Sequence, residues 1–412
     1  MSPPLRIASI TTFYPPYGFG GDAVDVQRTA RALARRGHHV TVIYDRDAYR
    51  CLANVEPELP PPDPLVEVIA LESHVPSYST LLTHQLGRPV IQAAALKRIE
   101  RTRQFDVVLL NNVSLVGGPG ILGFGGDAIR IYIAHEHWLV CPTHVLWRHN
   151  REVCDKRECV RCVLRTRRPL QMWRYTGALE RAMRQVHRFV ARSEFSRAKH
   201  REFGFEREMD VVPPFVPLHD QPSSGPSPHA SPYFLFAGRL EPIKGVADLI
   251  RAFPRDTPAN LLIAGDGSLD ASLRSLASDH PRIHFLGRLS TDALATYYQH
   301  AIALVVPSIG YETFGLVITE AFSHGTAVIT RNLGPLPEIV RAAGAGEVFT
   351  TLDELESMLR RFAADPEQAR RLGTVGRVAV ATLWSEDRVV SSLLAIIEDE
   401  QARKAGHSPT RG

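Results

Sequence analysis

The sequence has no apolar run of the roughly 18 residues that a membrane-spanning helix requires. Its first residues lead directly into a strand-like segment at 7–10, which leaves no room for a signal peptide. No recognised nucleic-acid-binding module is present, so nucleic acid is not an expected partner. These absences predict a cytoplasmic protein whose cysteines are reduced.

Lysine is scarce, with five lysines against 43 arginines, and the positive charge is unevenly distributed. Residues 148–201 contain 16 basic and 5 acidic residues, although the whole chain carries a net charge of only +4. Such a basic segment favours an acidic partner, either a phosphorylated substrate or an anionic membrane surface. The second option predicts peripheral contact with the inner face of a membrane.

Two interpretations of the basic segment stay open. Met172, Trp173 and Tyr175 are interleaved with arginine, as in segments that lie on an anionic bilayer. Equally, apolar residues at helical spacing would form a core face and leave the arginines in solvent. The residues with this spacing are Leu179, Met183 and Val186.

Four of the five cysteines are clustered, at Cys141, Cys154, Cys159 and Cys162. Four thiolates suit a structural zinc ion. The two spacings among Cys154, Cys159 and Cys162, of four and two intervening residues, also match part of a plant-type iron–sulfur motif, although the fourth ligand of that motif normally lies downstream. Reduced thiols without a metal are the third interpretation, and metal analysis distinguishes the three.

The length of 412 residues predicts two domains, because one ordinary core would not organise the whole chain. Each half begins with a strand, a glycine-containing loop, a helix and a second strand, an order typical of doubly wound parallel sheets. In the second half, apolar runs predict strands at 260–264, 303–306 and 327–330, and helical periodicity predicts a helix at 366–372. We therefore expect an α/β fold of two Rossmann-like domains that face an interdomain cleft, with ligands at the carboxyl ends of the strands. The predicted segments are an N-terminal domain at 1–216 with a cysteine-rich basic insertion at about 138–170, a linker at 217–232, a second domain at 233–384, a helix returning to the first domain at 385–405, and a disordered tail at 406–412.

Two cations follow the first strand of the second half. Arg239 and Lys244 lie in a loop that leads into a helix, where backbone amides are also available to an anion. This combination suits a diphosphate, with arginine as a fork and lysine as a point charge. For the loop alone, a solvated basic turn is the simpler interpretation.

Two glutamates, Glu312 and Glu320, are eight positions apart across a loop and a following helix. They would share one face if the helix began near Glu312. Carboxylates beside an anion site suggest a ligand with both hydroxyls and phosphates, such as a nucleotide sugar. Taken alone, the pair is equally compatible with a loop acid and a surface glutamate.

Together these motifs resemble the retaining group 1 glycosyltransferases of GT-B fold, of the family four type. The resemblance is carried by the order and spacing of Gly238-Arg239-Leu240, Lys244-Gly245, Gly265-Asp266-Gly267, Pro307-Ser308, Glu312, Phe314-Gly315-Leu316, Glu320 and Gly334-Pro335. It covers most of the chain. It implies a GT-B fold in which the domain at 1–216 lies on the acceptor side and the domain at 233–384 binds a nucleotide diphosphate sugar donor.

The resemblance also implies roles for residues of the second half. Arg239 and Lys244 would hold the donor diphosphate, Glu312 would lie beside the transferred sugar, and Glu320 would bind ribose hydroxyls. Arg288 falls where the family contacts the base largely through backbone. The remaining donor contacts implied are Gly238, Gly265, Thr313, Phe314, Gly315 and Leu316.

In the first half, the resemblance implies a donor-facing glycine loop at Gly20 and Gly21 and a sugar contact from His135. A rival interpretation is a dinucleotide fingerprint with Asp45 as its ribose acid, but in that fingerprint the glycines follow the strand directly. Residues 45–47 also match an Asp-x-Asp metal motif. We interpret these aspartates as a solvated loop, because Arg239 and Lys244 already supply positive charge.

The expected activity is retaining transfer of a hexose-type sugar to an acceptor hydroxyl, in glycolipid, polysaccharide or other glycoconjugate synthesis. Glu312, His135, Arg239 and Lys244 are the expected catalytic residues, and no cofactor is expected for the chemistry. The acceptor is unknown, a lipid-linked one being an option. The rivals are a phosphorylase or a nucleotide-sugar epimerase on the same fold, and a non-catalytic nucleotide-sugar-binding protein.

Overall fold

The computed structural model describes residues 3–53, 55–59, 61–218 and 225–406. Contacts divide the chain into two compact units, each assembled from separate segments. Unit 1 comprises Met1–His144, Cys159–Pro213 and Val389–Gly412, and unit 2 comprises Val145–Glu158 and Pro214–Arg388.

The first part of unit 1 alternates strands and helices. Its elements are β1 (Arg6–Thr11), α1 (Gly21–Arg35), β2 (His39–Asp45), α2 (Arg46–Leu52), β3 (Glu67–Leu71), α3 (Pro76–Leu86), α4 (Ala93–Thr102), β4 (Val107–Leu110) and β5 (Ile129–Ala134). The next segment contains a short hairpin that belongs to unit 2, followed by further elements of unit 1. The hairpin is β6 (Trp147–Arg148) and β7 (Glu152–Val153), and the elements after it are α5 (Cys159–Arg165), α6 (Ala178–Met183), β8 (Arg188–Ala191), α7 (Glu194–Glu202) and β9 (Asp210–Val211).

The strands of unit 1 form a parallel sheet in the order β3-β2-β1-β4-β5-β8-β9. Ile7 of β1 pairs with Val40 on one side and Val107 on the other, so β1 is a central strand. Strand β4 is completely buried, as expected for a short apolar run covered on both faces of a parallel sheet.

Unit 2 repeats this architecture. Its elements are β10 (Tyr233–Ala237), α8 (Val246–Ala252), β11 (Asn260–Ala264), α9 (Asp270–Leu276), β12 (Ile283–Gly287), α10 (Thr291–His300), β13 (Ala303–Val306), α11 (Leu316–Ser323), β14 (Ala327–Arg331), α12 (Leu336–Ala343), β15 (Gly346–Phe349), α13 (Leu352–Ala364) and α14 (Pro366–Leu383). The strands pair in parallel in the order β12-β11-β10-β13-β14-β15. The expected α/β architecture with two parallel sheets is confirmed.

The last helix, α15 (Glu386–Gly406), starts in the sequence range of unit 2 and continues in that of unit 1. Within unit 1, Arg36 donates a hydrogen bond to Ser391 over 3.0 Å, and Lys404 donates to the carbonyl oxygen of Asp127. Gly406, expected in the tail, is the last residue of this helix. Residues 407–412 of the expected tail lie outside the described residues.

The compact units differ from the predicted segments in the placement of one stretch of the first half of the chain. Residues Val145–Glu158, expected within the insertion of the N-terminal domain, belong to unit 2. Of the predicted linker, residues 219–224 lie outside the described part of the chain, and Leu218 packs against the unit 2 core.

Candidate active site

The loops after β10 and β11 approach each other through their backbones at the carboxyl edge of the unit 2 sheet. Gly265 has a φ of +143°, and a Cβ there would lie 1.8 Å from the carbonyl oxygen of Gly238. The amide of Leu240 donates to the carbonyl oxygen of Asp266 over 2.7 Å. Glycine is therefore required at position 265 for the two loops to pack this closely.

A lysine–glutamate ion pair joins the loop after β10 to the loop after β13. Lys244 Nζ donates to Glu312 Oε1 over 2.8 Å, and the Ser308 hydroxyl donates to the same oxygen over 2.8 Å. The side chains of Lys244 and Glu312 are only 25% and 19% exposed. The pair is thus mostly shielded from water, which makes its electrostatic attraction stronger than that of a surface pair.

The Glu312 carboxylate is stabilised in its charged form. Burial alone raises its pKa, but the charge of Lys244, the hydrogen bonds from Lys244 and Ser308, and the charge of Arg239 together lower the pKa of Glu312 below its ordinary value. The structure therefore brings Arg239, Lys244 and Glu312 close enough to interact. These three were singled out in the sequence from two separate motifs.

The loop after β13 leads into α11 through Thr313, Phe314 and Gly315. Gly315 has a φ of +132°, and no side chain caps the N-terminus of the helix. Phe314 is buried and packs edge-on against Trp384, at 6.3 Å between ring centroids. The amides of the first helical turn, from Leu316 onward, are thus oriented by a fixed loop.

Glu320 lies half-buried on α11, but Glu312 lies outside the helix, which begins at Leu316. The shared helical face suggested for the two glutamates therefore does not exist. Arg239 and Arg288 are exposed at the loops after β10 and β12. The donor contacts expected of Glu320, Arg288 and the glycines remain predictions.

In unit 1, Gly20 and Gly21 are exposed at the start of α1. Gly20 has an extended backbone with φ −157°, which any residue can adopt. A Cβ on Gly20 would contact only the Asp22 carboxylate, at 3.2 Å. The local fold therefore does not require glycine at position 20, whereas close approach of a ligand would.

His135 follows β5 and is held by a buried polar network of unit 1. Its Nε2 lies 2.9 Å from Asn111 Oδ1 and its Nδ1 lies 3.5 Å from Asp25 Oδ2. Arg192 donates to the same Asp25 oxygen. Burial, followed by the charge of Arg192, holds the pKa of His135 well below its ordinary value, so the ring is neutral at physiological pH.

The Asn111 amide presents an acceptor to His135. Its Nδ2 donates to Ser9 Oγ over 3.1 Å and faces the carbonyl oxygens of Ile10 and Leu109, so Oδ1 is left as an acceptor. The neutral His135 ring has a single N–H, which donates to Asn111 Oδ1 from Nε2 or to Asp25 Oδ2 from Nδ1. Both ring nitrogens thus have neighbours within unit 1, and the expected contact with a donor sugar stays a prediction.

The four clustered cysteines are divided between the two units. Cys141, Cys159 and Cys162 belong to unit 1, whereas Cys154 belongs to unit 2. Across the described ranges, no group of three or more His, Cys, Asp or Glu side chains is arranged to hold a metal ion. Cys141 Sγ lies 3.3 Å from the Thr143 hydroxyl. Zinc stays a prediction.

The basic segment combines elements of both interpretations. Leu179 and Val186 are buried in the unit 1 core and Met183 packs against it, as the core interpretation expects. Trp173 is also buried, and its Nε1 donates to the carbonyl oxygen of His84. Met172 and Tyr175 are 60% and 53% exposed, so only these two of the three residues assigned to a bilayer are accessible. In the part of the chain that the structure describes, no helix has the length and apolar character needed to cross a membrane.

The interpretation of Asp45 and Asp47 as a solvated loop is wrong. Asp45 is 1% exposed and caps α2 by accepting a hydrogen bond from the amide of Ala48. Asp47 is fully buried and accepts from Ser73 and Gln92. Both carboxylates are structural because a buried acceptor must be satisfied by donors.

A cavity of about 910 Å³ opens in unit 1 near the carboxyl ends of β1 and β2. Tyr14, Tyr44 and Arg46 contribute to its lining, together with Arg31 of α1 and Asp63. Arg31 pairs with Asp63 at 2.5 Å, so this part of the lining is polar without a net charge. This cavity is not predictable from local sequence patterns, because residues from four segments form it.

The sequence also gave little indication of Arg331. Its guanidinium donates to the carbonyl oxygen of Pro307 over 3.0 Å and pairs with Asp248 over 2.7 Å. It therefore links the loop that carries Ser308 to α8. Only its position at the end of a predicted strand could have signalled it.

Comparisons with known proteins agree with this architecture. The family model described as glycosyl transferases group 1 matches residues 219–378, and the model described as Glycosyltransferase Family 4 matches residues 19–220. The glycogen synthase of Mycobacterium tuberculosis is 27% identical over 404 residues, covering 90% of this chain and 89% of the relative. A Corynebacterium glutamicum protein named GDP-mannose-dependent monoacylated alpha-(1-6)-phosphatidylinositol monomannoside mannosyltransferase is 31% identical, covering 41% of this chain and 48% of the relative.

Solved structures show the same fold. Sucrose-phosphate synthase from Thermosynechococcus elongatus superimposes with a TM-score of 0.72 at 20% identity, covering 97% of this chain and all of that one. Anabaena HepE in complex with UDP-glucose gives a TM-score of 0.69 at 18% identity, covering 96% of this chain and all of that one. The two parallel-sheet units are therefore those of the GT-B fold. The chain belongs to the group 1 glycosyltransferases, which confirms the resemblance noted in its motifs.

Proposed function

We propose that this glycosyltransferase moves a hexose-type sugar from a nucleotide diphosphate donor to an acceptor hydroxyl with retention of anomeric configuration. The observation that carries the proposal is the shielded Lys244–Glu312 pair at the carboxyl edge of the unit 2 sheet, with Arg239 within electrostatic range. Ligands of open α/β sheets bind at this edge. The complex of HepE with UDP-glucose, on the same fold, supports a nucleotide-sugar donor.

In the proposed chemistry, the bond between the anomeric carbon and the β-phosphate oxygen breaks, and the acceptor oxygen bonds to that carbon on the same face. Lys244 and Arg239 would stabilise the charge that develops on the departing diphosphate. The acceptor's proton would pass to a phosphate oxygen of that leaving group. No metal is needed for this charge balance, since two protein cations face the diphosphate.

Glu312 would have a positioning and electrostatic role. Its hydrogen bonds to Lys244 and Ser308 occupy Oε1, which leaves Oε2 available to a hydroxyl of the transferred sugar. His135 is proposed as a further sugar contact, with Gly20 and Gly21 allowing close backbone approach to the diphosphate. Arg288 and Glu320 would contact the base and ribose.

The donor is identified by a thermal-shift screen of UDP, GDP and ADP sugars, because a ligand that binds only the folded protein raises its melting temperature. Turnover of the best donor is then compared between the wild type and Lys244→Ala. The proposal expects a large loss of turnover in the variant. Wild-type turnover by Lys244→Ala on that donor would contradict the mechanism. Product analysis also separates transfer from phosphorolysis, epimerisation and binding without turnover.

The acceptor is proposed to bind unit 1, where the cavity lined by Tyr14, Tyr44 and Arg46 lies near the ends of β1 and β2. Aromatic faces and paired charges suit a neutral, hydroxyl-rich group better than a free anion. Replacement of Tyr44 by Ala should raise the KM for the acceptor and leave the KM for the donor unchanged. An unchanged acceptor KM would exclude this cavity.

An anionic membrane is proposed as a second partner, which would suit a lipid-linked acceptor. Val160, Leu164, Met172 and Tyr175 are between 45% and 60% exposed within the arginine-rich part of unit 1. Flotation with vesicles of neutral or anionic lipid tests this contact, and the double variant Met172→Ser/Tyr175→Ser should lose anionic binding. Equal binding to neutral and anionic vesicles would argue against it.

A further inference from the structure

A hairpin encoded in the first half of the sequence belongs to unit 2. Strands β6 and β7 pair Trp147 with Val153 and Arg148 with Glu152, in antiparallel register. The amide of Cys154 donates to the carbonyl oxygen of Leu146 over 2.7 Å and extends the pairing. The family motifs noted in the sequence include none of these residues.

Trp147 lies where two loops of the candidate active site meet. It is 6% exposed, and its Cε3 would lie 3.3 Å from a Cβ built on Gly310. The Ile243 side chain approaches the same point, with Cγ1 at 2.1 Å. The side chains of Trp147 and Ile243 therefore both pack against the backbone of Gly310, and a side chain at position 310 would displace one of them.

This contact is directly connected to the lysine–glutamate pair. The carbonyl oxygen of Ile243 accepts hydrogen bonds from the amides of Ile309 at 2.9 Å and Gly310 at 3.2 Å. Ile243 is the residue before Lys244, and Gly310 is separated from Glu312 by Tyr311 alone. The backbone contact covered by Trp147 thus fixes the spacing of the two chain segments that the Lys244–Glu312 hydrogen bond joins.

The hairpin that carries Trp147 has a defined conformation. Arg148 pairs with Glu152 at 2.7 Å and Asp155 at 2.8 Å, and His149 pairs with Glu158 at 3.1 Å. Leu146, His149 and Asn150 have left-handed φ values of 48°, 53° and 57°. Such backbone conformations are costly for residues other than glycine and persist where surrounding contacts impose them.

We propose that Trp147 is a positioning residue for the reaction, which keeps the segments carrying Lys244 and Glu312 in the geometry that binds the donor diphosphate. The proposal rests on the proposed function. It assigns the hairpin at residues 146–154 to the donor site, although the hairpin lies in the first half of the sequence. Trp147 acts through Ile243 and Gly310, and it makes no bond to the reacting atoms.

The test compares Trp147→Ala, Trp147→Phe and Gly310→Ala with Arg151→Ala, an exposed position of the same hairpin. UDP and GDP are titrated by calorimetry, and kcat and KM are measured with the donor that the wild type uses. We expect Trp147→Ala to weaken binding of the preferred nucleotide about 10-fold and to lower kcat by about 10- to 100-fold, because displacement of catalytic groups by about 1 Å has effects of this size. Trp147→Phe should recover most of both losses, and Arg151→Ala should match the wild type.

Wild-type nucleotide affinity and kcat in Trp147→Ala would overturn the proposal, as would equal losses in Trp147→Ala, Trp147→Phe and Arg151→Ala. If Trp147→Ala does not fold, Gly310→Ala decides, because it disturbs the same contact with the indole present. A wild type that binds neither nucleotide and transfers no sugar would instead refute the proposed function, and this inference with it. Normal wild-type turnover with unaffected variants would refute the positioning role alone.

Discussion

Two variants of the Lys244–Glu312 ion pair should change nucleotide affinity in opposite directions. The structure has Lys244 bonded to Glu312 over 2.8 Å, so the lysine charge is partly neutralised before a diphosphate arrives. Lys244→Ala removes an attraction to the diphosphate, whereas Glu312→Gln removes a repulsion and frees the lysine. Binding of UDP or GDP should therefore weaken in the first variant and strengthen in the second.

The magnitude follows from charge and exposure. Two unit charges about 4 Å apart interact by about 4 kcal/mol at a surface-like effective dielectric. The side chains of Lys244 and Glu312 retain 25% and 19% exposure, so part of this attraction is screened. We expect Lys244→Ala to lose about 1.5–3 kcal/mol of nucleotide binding, or roughly 10- to 100-fold in Kd. Glu312→Gln should gain about 1 kcal/mol, or roughly 5-fold.

Calorimetric titration with the preferred nucleoside diphosphate measures both effects, and turnover distinguishes binding from chemistry. Both variants should lose turnover, although only Lys244→Ala loses affinity. Glu312→Ala serves as a control for the size of the Gln side chain. Weaker nucleotide binding by Glu312→Gln, comparable to that of Lys244→Ala, would refute the proposed competition between Glu312 and the diphosphate.

Four further predictions concern stability and metal content. Burial, followed by the charge of Asp47, raises the pKa of Asp45 to about 7, against the hydrogen bond from Ala48. Because the folded protein binds this proton more tightly than the unfolded chain, the free energy of unfolding should fall as the pH rises from about 4 to 7. Asp45→Asn keeps the helix cap, so urea unfolding should show its stability increasing by roughly 3 kcal/mol relative to wild type between pH 5 and pH 8. Gly265→Ala should lower the free energy of unfolding by about 3 kcal/mol, because its Cβ would lie 1.8 Å from a carbonyl oxygen. Gly344→Ala, with φ +62° and no atom within 4 Å of its Cβ, should lower it by about 1 kcal/mol. Equal losses of stability in the two variants would contradict the effect of the clash. Asp25→Asn leaves the buried Arg192 guanidinium without its carboxylate and should lower the free energy of unfolding by about 3–5 kcal/mol. Asp106→Asn, whose partner Arg6 is 48% exposed, should lower it by under about 1 kcal/mol. Elemental analysis of the purified protein tests the zinc prediction: one zinc per chain would support it, and a clearly substoichiometric content would reject it.

Two strands with short, continuous apolar sequences were predictable to the residue. The predicted bounds 260–264 and 303–306 coincide with β11 and β13, and Gly265 and Pro307 directly follow the two runs. The helix expected at 366–372 instead continues as α14 to Leu383. Gly373 directly follows the predicted range, and a Cβ there would lie 1.8 Å from the carbonyl oxygen of Gly325. Its glycine serves close packing, which only the tertiary structure reveals.

The motifs of the candidate site were recognisable for a similar reason, since each is local to one loop. Arg239, Lys244 and Glu312 lie at strand ends in the sequence, and the parallel sheet brings them together. Trp147 could not be predicted as their neighbour, because it lies in the first half of the chain and its contact with Gly310 depends on the placement of the hairpin. The buried Asp25–Arg192 pair, 167 positions apart, is equally invisible to local patterns.

The proposed retaining sugar transfer from a nucleotide diphosphate donor can be tested without knowledge of the acceptor. Proton NMR of slow donor hydrolysis by the purified enzyme follows the anomer of the released sugar before mutarotation. With the UDP, GDP or ADP sugar that the enzyme binds, we expect the anomer released first to have the configuration of the donor, and Lys244→Ala to release it much more slowly. Initial release of the opposite anomer, or a rate unchanged in Lys244→Ala, would refute the proposed mechanism.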